Sequence, residues 1–353
     1  MKRIILICLT RLLIAQEDAM TLELGFPSGI VIDKKDNVIF SDRRLNKLFR
    51  LDQKSGSITV LSGTGDRSFS GDNGSAKNAA LSIPEIIYMD QNGDLYICDR
   101  GNYRVRIIDA KSGMIRTVAG TGKFGYSGDG GPALAADLSN PFGVTLDEKG
   151  NIWIADTENH VIRKVDRQTG IITTEVGSGE SGFSGDGGPA KQAQLQRPHV
   201  LSFDKSGDLW IGDSFNNRIR KVNIKTGIIN SMFGNGEKAS SPDGSDARKS
   251  ALGFFGTLLF DQDGNLVFSE IIDARVRKID LKTGLLSTLA GNGKSGFSGD
   301  AGPANKAQLG MPYGIAFDRN YNLYIADAQN GRIRRVDART GIISTIAGNG
   351  QGD

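Results

Sequence analysis

One repeat length constrains this chain more than anything else in it. Pro27, Pro84, Pro141, Pro198 and Pro312 fall on a common step of 57 residues, with Phe255 in the single place where the proline is missing. Gly56, Gly113, Gly170, Gly227, Gly284 and Gly341 keep the same step, as do Gly63, Gly120, Gly177, Gly234, Gly291 and Gly348. Five unbroken periods leave no room for insertions and predict six copies of one supersecondary unit.

Residues 141–180 show what the unit is. Phe142 to Leu146 alternates into the turn Asp147-Glu148-Lys149-Gly150, and Ile152 to Ala155 follows. Val161 to Val165 comes next, and Thr169-Gly170 turns the chain into Ile171 to Val176. Short runs of β-branched and aromatic residues between such turns spell an antiparallel meander. Four strands cannot bury two faces alone, so each unit needs a neighbour on either side. Six units arranged radially supply both neighbours for every sheet. A parallel β-helix has a much shorter coil and no hairpins. The expected fold is therefore all-β, a six-bladed β-propeller with four antiparallel strands per blade and repeats starting near residues 27, 84, 141, 198, 255 and 312.

Length alone would suggest two domains, but a closed ring accounts for residues 16–353 as one. The 47 glycines suit a turn-dense protein, and a net charge of +3 is too small to argue for nucleic acid or a membrane surface. Cys8 and Cys98 make no disulfide framework. Residues 1–15 place Lys2-Arg3 before an apolar run that Arg11 interrupts, which fits a signal peptide cleaved after Ala15. The expected location is periplasmic or secreted, with the cytoplasm as the alternative, and the mature ring is expected to have no transmembrane segment and to be a monomer. The last repeat lacks its loop, while Ala19 and Leu24 stand one period before Ala76 and Leu81. The N-terminal residues are therefore expected to supply that loop and close the ring.

The loops between repeats carry a Ser-Gly-Asp-Gly-Gly-Pro-Ala motif or a variant of it. Ala133, Ala136 and Leu138 are expected to plug a short helical turn onto the blade. Asp72, Asp129, Asp186, Asp243 and Asp300 recur in these loops and raise the question of calcium. One carboxylate per loop is thin for an ion that takes six or more oxygens, so the turn reading is preferred and no cofactor is expected. A second recurrent acid ends each second strand: Asp42, Asp99, Asp156, Asp213, Glu270 and Asp327. An Asp-x-x-Asn turn and alternating arginines follow it, which points to structural turns and ion pairs and to no catalytic group.

These patterns carry a resemblance. The run P-x-G-[IV]-x-x-[DN]-x-x-G-[ND]-[IL]-[YW]-[IV]-[AG]-D-x-x-N, clearest at 141–165 and 312–336, resembles the NHL repeat, and the loops are similar to those of bacterial NHL-repeat proteins and the teneurin propeller. The resemblance implies a six-bladed ring and leaves the activity to be argued from the site.

Long loops, Asp-x-x-Asn turns and the starts of the inner strands should share one face. The residue after each leading proline should sit at the mouth of the central channel: Ser28, Glu85, Phe142, His199, Gly256 and Tyr313. These positions do not repeat, so ligand choice must be encoded there, with Glu85 and His199 expected across the axis from each other. The expected function is a non-catalytic scaffold, exported, that binds a protein or glycan on this face. The alternative is a metal-dependent lyase or lactonase at the channel mouth, as the resemblance to related propellers suggests; His160 and His199 are too few for a three-histidine zinc site. RNA binding would need a basic face with aromatic platforms, and here the arginines are interleaved with acids.

Overall fold

A computed structural model describes residues 17–350; the expected leader at residues 1–15 lies outside the described residues. In the third blade, Pro141–Leu146, Ile152–Asp156, Val161–Val165 and Ile172–Val176 pair in that order as an antiparallel sheet. The first turn forms because the Asp147 carboxylate accepts the backbone N–H of Lys149 and Asn151, while Gly150 takes φ +79°, where a side chain is disfavoured. All five residues of Ile152–Asp156 are buried, since this strand faces a blade on each side.

Five further sheets repeat the plan, with inner strands Pro27–Ile32, Pro84–Met89, Pro198–Phe203, Phe255–Phe260 and Pro312–Phe317. Six apolar clusters fill the gaps between successive blades, including the gap between the sixth and the first. The protein is a six-bladed β-propeller.

Each long loop runs along the outer edge of the blade it precedes. Pro132 bridges to Ile171, Pro189 to Ile228 and Pro303 to Ile342, which covers edges that would otherwise invite pairing. Ala133, Ala136 and Leu138 are buried under the loop's single 3₁₀ turn.

The ring closes with the same device. Glu17–Asp18 pairs with Ser57 and Ile58 on the outer strand of the first blade, one period before the pairing of Gly74–Ser75 with Met114 and Ile115. The Gly348 N–H donates to the Ala19 carbonyl at 2.8 Å and that of Asn349 to Leu22 at 3.0 Å. Buried Ala19 and Leu24 join Ala326, Ile333 and Ala347 in one cluster. Every blade keeps its own four strands, and a loop completes the circle.

Candidate functional site

A repeated ion-pair frame supports the face that carries the long loops. Arg163 is wholly buried; its Nη2 donates to Asp129 Oδ1 at 2.7 Å and its Nη1 lies 3.6 Å from Asp156 Oδ2. It also donates to the carbonyls of Ser127 and Asp137. Arg106, Arg220, Arg277 and Arg334 repeat the arrangement with Asp72 and Asp99, Asp186 and Asp213, Asp243 and Glu270, and Asp300 and Asp327. Each loop aspartate therefore anchors its loop to a buried guanidinium. Burial pushes the Asp156 carboxyl up to about 7, against the pull of Asn159, Ser139 and Arg163.

The first blade departs from the frame. Phe49 stands where the others have arginine and stacks on Phe40. Asp42 instead accepts the backbone N–H groups of Gly25, Phe26, Arg44 and Leu45. Burial raises its pKa against the pull of these four backbone N–H groups.

The residues at the axis are placed by a repeated β-bulge. Pro141 pairs with Asp156 and Gly143 with Ala155, which leaves Phe142 as the extra residue. The same slip follows Pro27, Pro84, Pro198, Phe255 and Pro312, and such bulges re-aim side chains. Backbones then approach closely: a Cβ on Gly29 would lie 2.5 Å from the Glu85 carbonyl oxygen. Phe142 and Tyr313 belong to blades three steps apart, yet their ring centroids are 6.3 Å apart, so aromatic rings close the axis at this level.

Ser28, Glu85, Phe142, His199 and Tyr313 are all buried. Ser28 hydrogen-bonds Ser41 and the Pro84 carbonyl. His199 lies against Phe142 and Phe254, with centroids 4.3 and 4.6 Å away. Burial, helped by Arg100 and Arg197, pulls its imidazole down to about 3, so it is neutral at physiological pH. Glu85 and His199 are not opposed: they lie two repeats apart, in the second and fourth blades, and Phe142 stands between them in the ring.

Glu85 holds two arginines. Arg100 Nη1 is 3.1 Å and Arg43 Nη1 is 3.3 Å from Glu85 Oε1. Burial raises the Glu85 pKa while the two guanidiniums lower it. Arg43 also donates to the Tyr313 hydroxyl at 3.3 Å and lies 3.7 Å from the centroid of Phe26. Above this cluster opens a cavity of 620 Å³ whose rim includes Phe26, Arg43, Arg44, Arg67, Arg100 and Gln329.

Arg43 and Arg100 were not read from the sequence, although a signal was present. The position after the second-strand acid runs Arg43, Arg100, Thr157, Ser214, Ile271, Ala328, which breaks the repeat as plainly as the position after the leading proline does. The place before the leading residue, which holds Phe26 and Phe254 in the first and fifth repeats, varies in the same way.

Residues 122–184 match the Teneurin NHL domain. The chain is 28% identical over 339 residues to Protein SUPPRESSOR OF QUENCHING 1, chloroplastic, of Arabidopsis thaliana, covering 92% of this chain and 32% of that protein. It is 29% identical over 303 residues to NHL repeat-containing protein 2 of Gallus gallus, covering 77% of this chain and 41% of the relative. The chain thus spans well under half the length of these relatives. Among solved structures, a structural genomics protein of unknown function from Bacteroides thetaiotaomicron superposes with TM-score 0.68 at 18% identity, over 91% of this chain and 71% of that one. Virginiamycin B lyase from Staphylococcus aureus does so with TM-score 0.53 at 17% identity, over 94% and 87%. At these identities the structural likeness speaks for the fold alone.

Proposed function

We propose that this NHL-repeat β-propeller is a non-catalytic binding scaffold whose partner is a protein docked on the long-loop face, over the axial cavity. One observation carries the reading. The ion-pair frame repeats in five of the six blades, whereas the residues that depart from the repeat converge on the axis of that one face. A ring that needed only stability would have no use for such a sector. Glu85, Phe142, His199 and Tyr313 lie beneath the surface. Glu85 and Tyr313 hold Arg43, and Glu85 holds Arg100; the two arginine side chains, 26% and 30% exposed, reach the cavity. Exposed rings on the long loops, Phe124 and Tyr126 among them, widen the surface with the aromatic contacts that protein interfaces favour. The proposal includes export, on the basic-then-apolar order of residues 1–15.

A metal-dependent lyase or lactonase would need a donor set at the axis. There the described residues offer a carboxylate already shared by two arginines and an imidazole packed between rings, which favours the scaffold reading.

Affinity capture from extracts of the source cells, compared between face variants, tests the proposal. Arg44→Glu with Arg67→Glu should lose partners that the unmodified protein retains. Lys111→Glu with Lys282→Glu, on the opposite short-turn face, should keep them. Equal retention by both variants would contradict the proposal.

A further inference from the structure

The axial cavity also indicates what kind of group it receives. Four arginines reach it, Arg43, Arg44, Arg67 and Arg100. Facing them is Glu85, whose Oε1 already accepts from Arg43 and Arg100. Of the other acids nearby in the chain, Asp42 is buried and accepts four backbone N–H groups, Asp99 is buried and paired with Arg106, and Asp66 accepts from the Thr64 hydroxyl. Among the described residues, the guanidiniums of Arg44 and Arg67 have no hydrogen-bond or ion-pair partner, and both side chains are exposed. Positive charge is thus concentrated in one sector of a chain whose net charge is only +3.

This concentration is not inherited from the repeat. The positions equivalent to Arg44 hold Gly101, Glu158, Phe215, Ile272 and Gln329, and those equivalent to Arg67 hold Phe124, Ser181, Lys238 and Ser295. The two other large cavities, of 720 and 500 Å³, lie one blade apart in equivalent grooves and mix acids with bases; they belong to the repeating frame. In the axial cavity Arg43 is fixed before any ligand arrives, by Glu85, the Tyr313 hydroxyl and stacking on Phe26. A guanidinium held in place loses less freedom when it forms a paired contact with a carboxylate.

We propose that this cavity is an oxyanion site that takes clustered carboxylates of an acidic partner segment. Arg43 and Arg100 form its floor, and Arg44 and Arg67 reach over from the rim as bidentate donors. The volume suits two or three side chains. The proposal rests on the reading of this face as the docking face and adds the chemistry of the anchor.

Isothermal titration of the full chain with a tetraglutamate peptide, at low and moderate salt, tests it, with citrate and inorganic phosphate as competitors. Saturable one-site binding, displaced by citrate, is expected. Arg44→Gln and Arg67→Gln should each weaken it by roughly tenfold, the value of a lost charge-assisted contact. Lys111→Gln with Lys282→Gln should leave it unchanged. Because neither rim arginine has a partner to lose, these variants should fold normally, which their melting curves would verify. No saturable binding, equal affinity in the rim variants, or phosphate bound in preference to both carboxylate probes would overturn the assignment. If the titration fails while face-dependent partner capture persists, the docking face stands and the oxyanion anchor falls. If capture also fails, both fall.

Discussion

Arg100 Nη1 and Glu85 Oε1 lie 3.1 Å apart at the axis of the propeller, and Arg43 reaches the same oxygen from the neighbouring blade. One buried carboxylate therefore sets the position of two guanidiniums that belong to different blades, and through them the floor of the cavity.

Glu85→Gln keeps the shape and removes the charge. The expected loss of stability is about 2–3 kcal/mol, below the usual cost of splitting a wholly buried pair because both arginines are partly exposed. Urea denaturation measures it. A change within error of zero would mean that the two arginines find water as readily as Glu85.

Arg163 has no such outlet. Its removal by Arg163→Ala strands the buried Asp156 carboxylate and the Ser127 and Asp137 carbonyls, so a loss of about 3–5 kcal/mol is expected. Asp129→Asn, at the more exposed end of the same network, should cost clearly less. Equal costs would show that the loop anchor, rather than the buried acid, dominates the frame.

His199 makes stability depend on pH. Its folded pKa of about 3 lies below the ordinary 6.5, so the neutral ring's contribution is complete above pH 6.5 and is lost as pH falls towards 3. By pH 5 the loss should be about 2 kcal/mol. Chemical denaturation of His199→Phe at pH 7 and pH 5 should show that much less acid sensitivity than the unmodified protein. Parallel pH curves for the two proteins would mean that the imidazole gains a proton without disturbing the axis.

Leu24 tests the closure of the ring. It is one period before Leu81, and both are fully buried. If the N-terminal loop closes the circle as an ordinary inter-blade loop, Leu24→Ala and Leu81→Ala should cost similar amounts, about 2–5 kcal/mol each. A near-neutral Leu24→Ala would show a frayed closure.

The repeat made the fold legible almost completely. A step of 57 residues without insertions fixes blade number, strand order and the face of each turn, because every copy solves the same burial problem. It also located the N-terminal closure, since Ala19 and Leu24 keep the period across the gap. Asp129 was legible as a turn residue but not as the partner of Arg163, because 34 residues of chain separate them. Phe142 and Tyr313 were read as the rim of an open channel, and whether rings from blades three steps apart meet depends on the ring's diameter. That diameter is set by backbone approaches at glycines such as Gly29, which periodicity does not report. Arg43 and Arg100 were hidden differently. In a chain where arginine recurs in nearly every blade, two more look like part of the pattern until each is compared with its own equivalent position.

The central claim is that a partner docks over the axial cavity, and photo-crosslinking tests it most directly. A photoreactive residue placed at Phe124 or Gln329, on the long-loop face, should yield adducts with the captured partner, whereas the same residue at Lys111 should yield none. Adducts from Lys111 without adducts from Phe124 or Gln329 would put the partner on the opposite face and contradict the account.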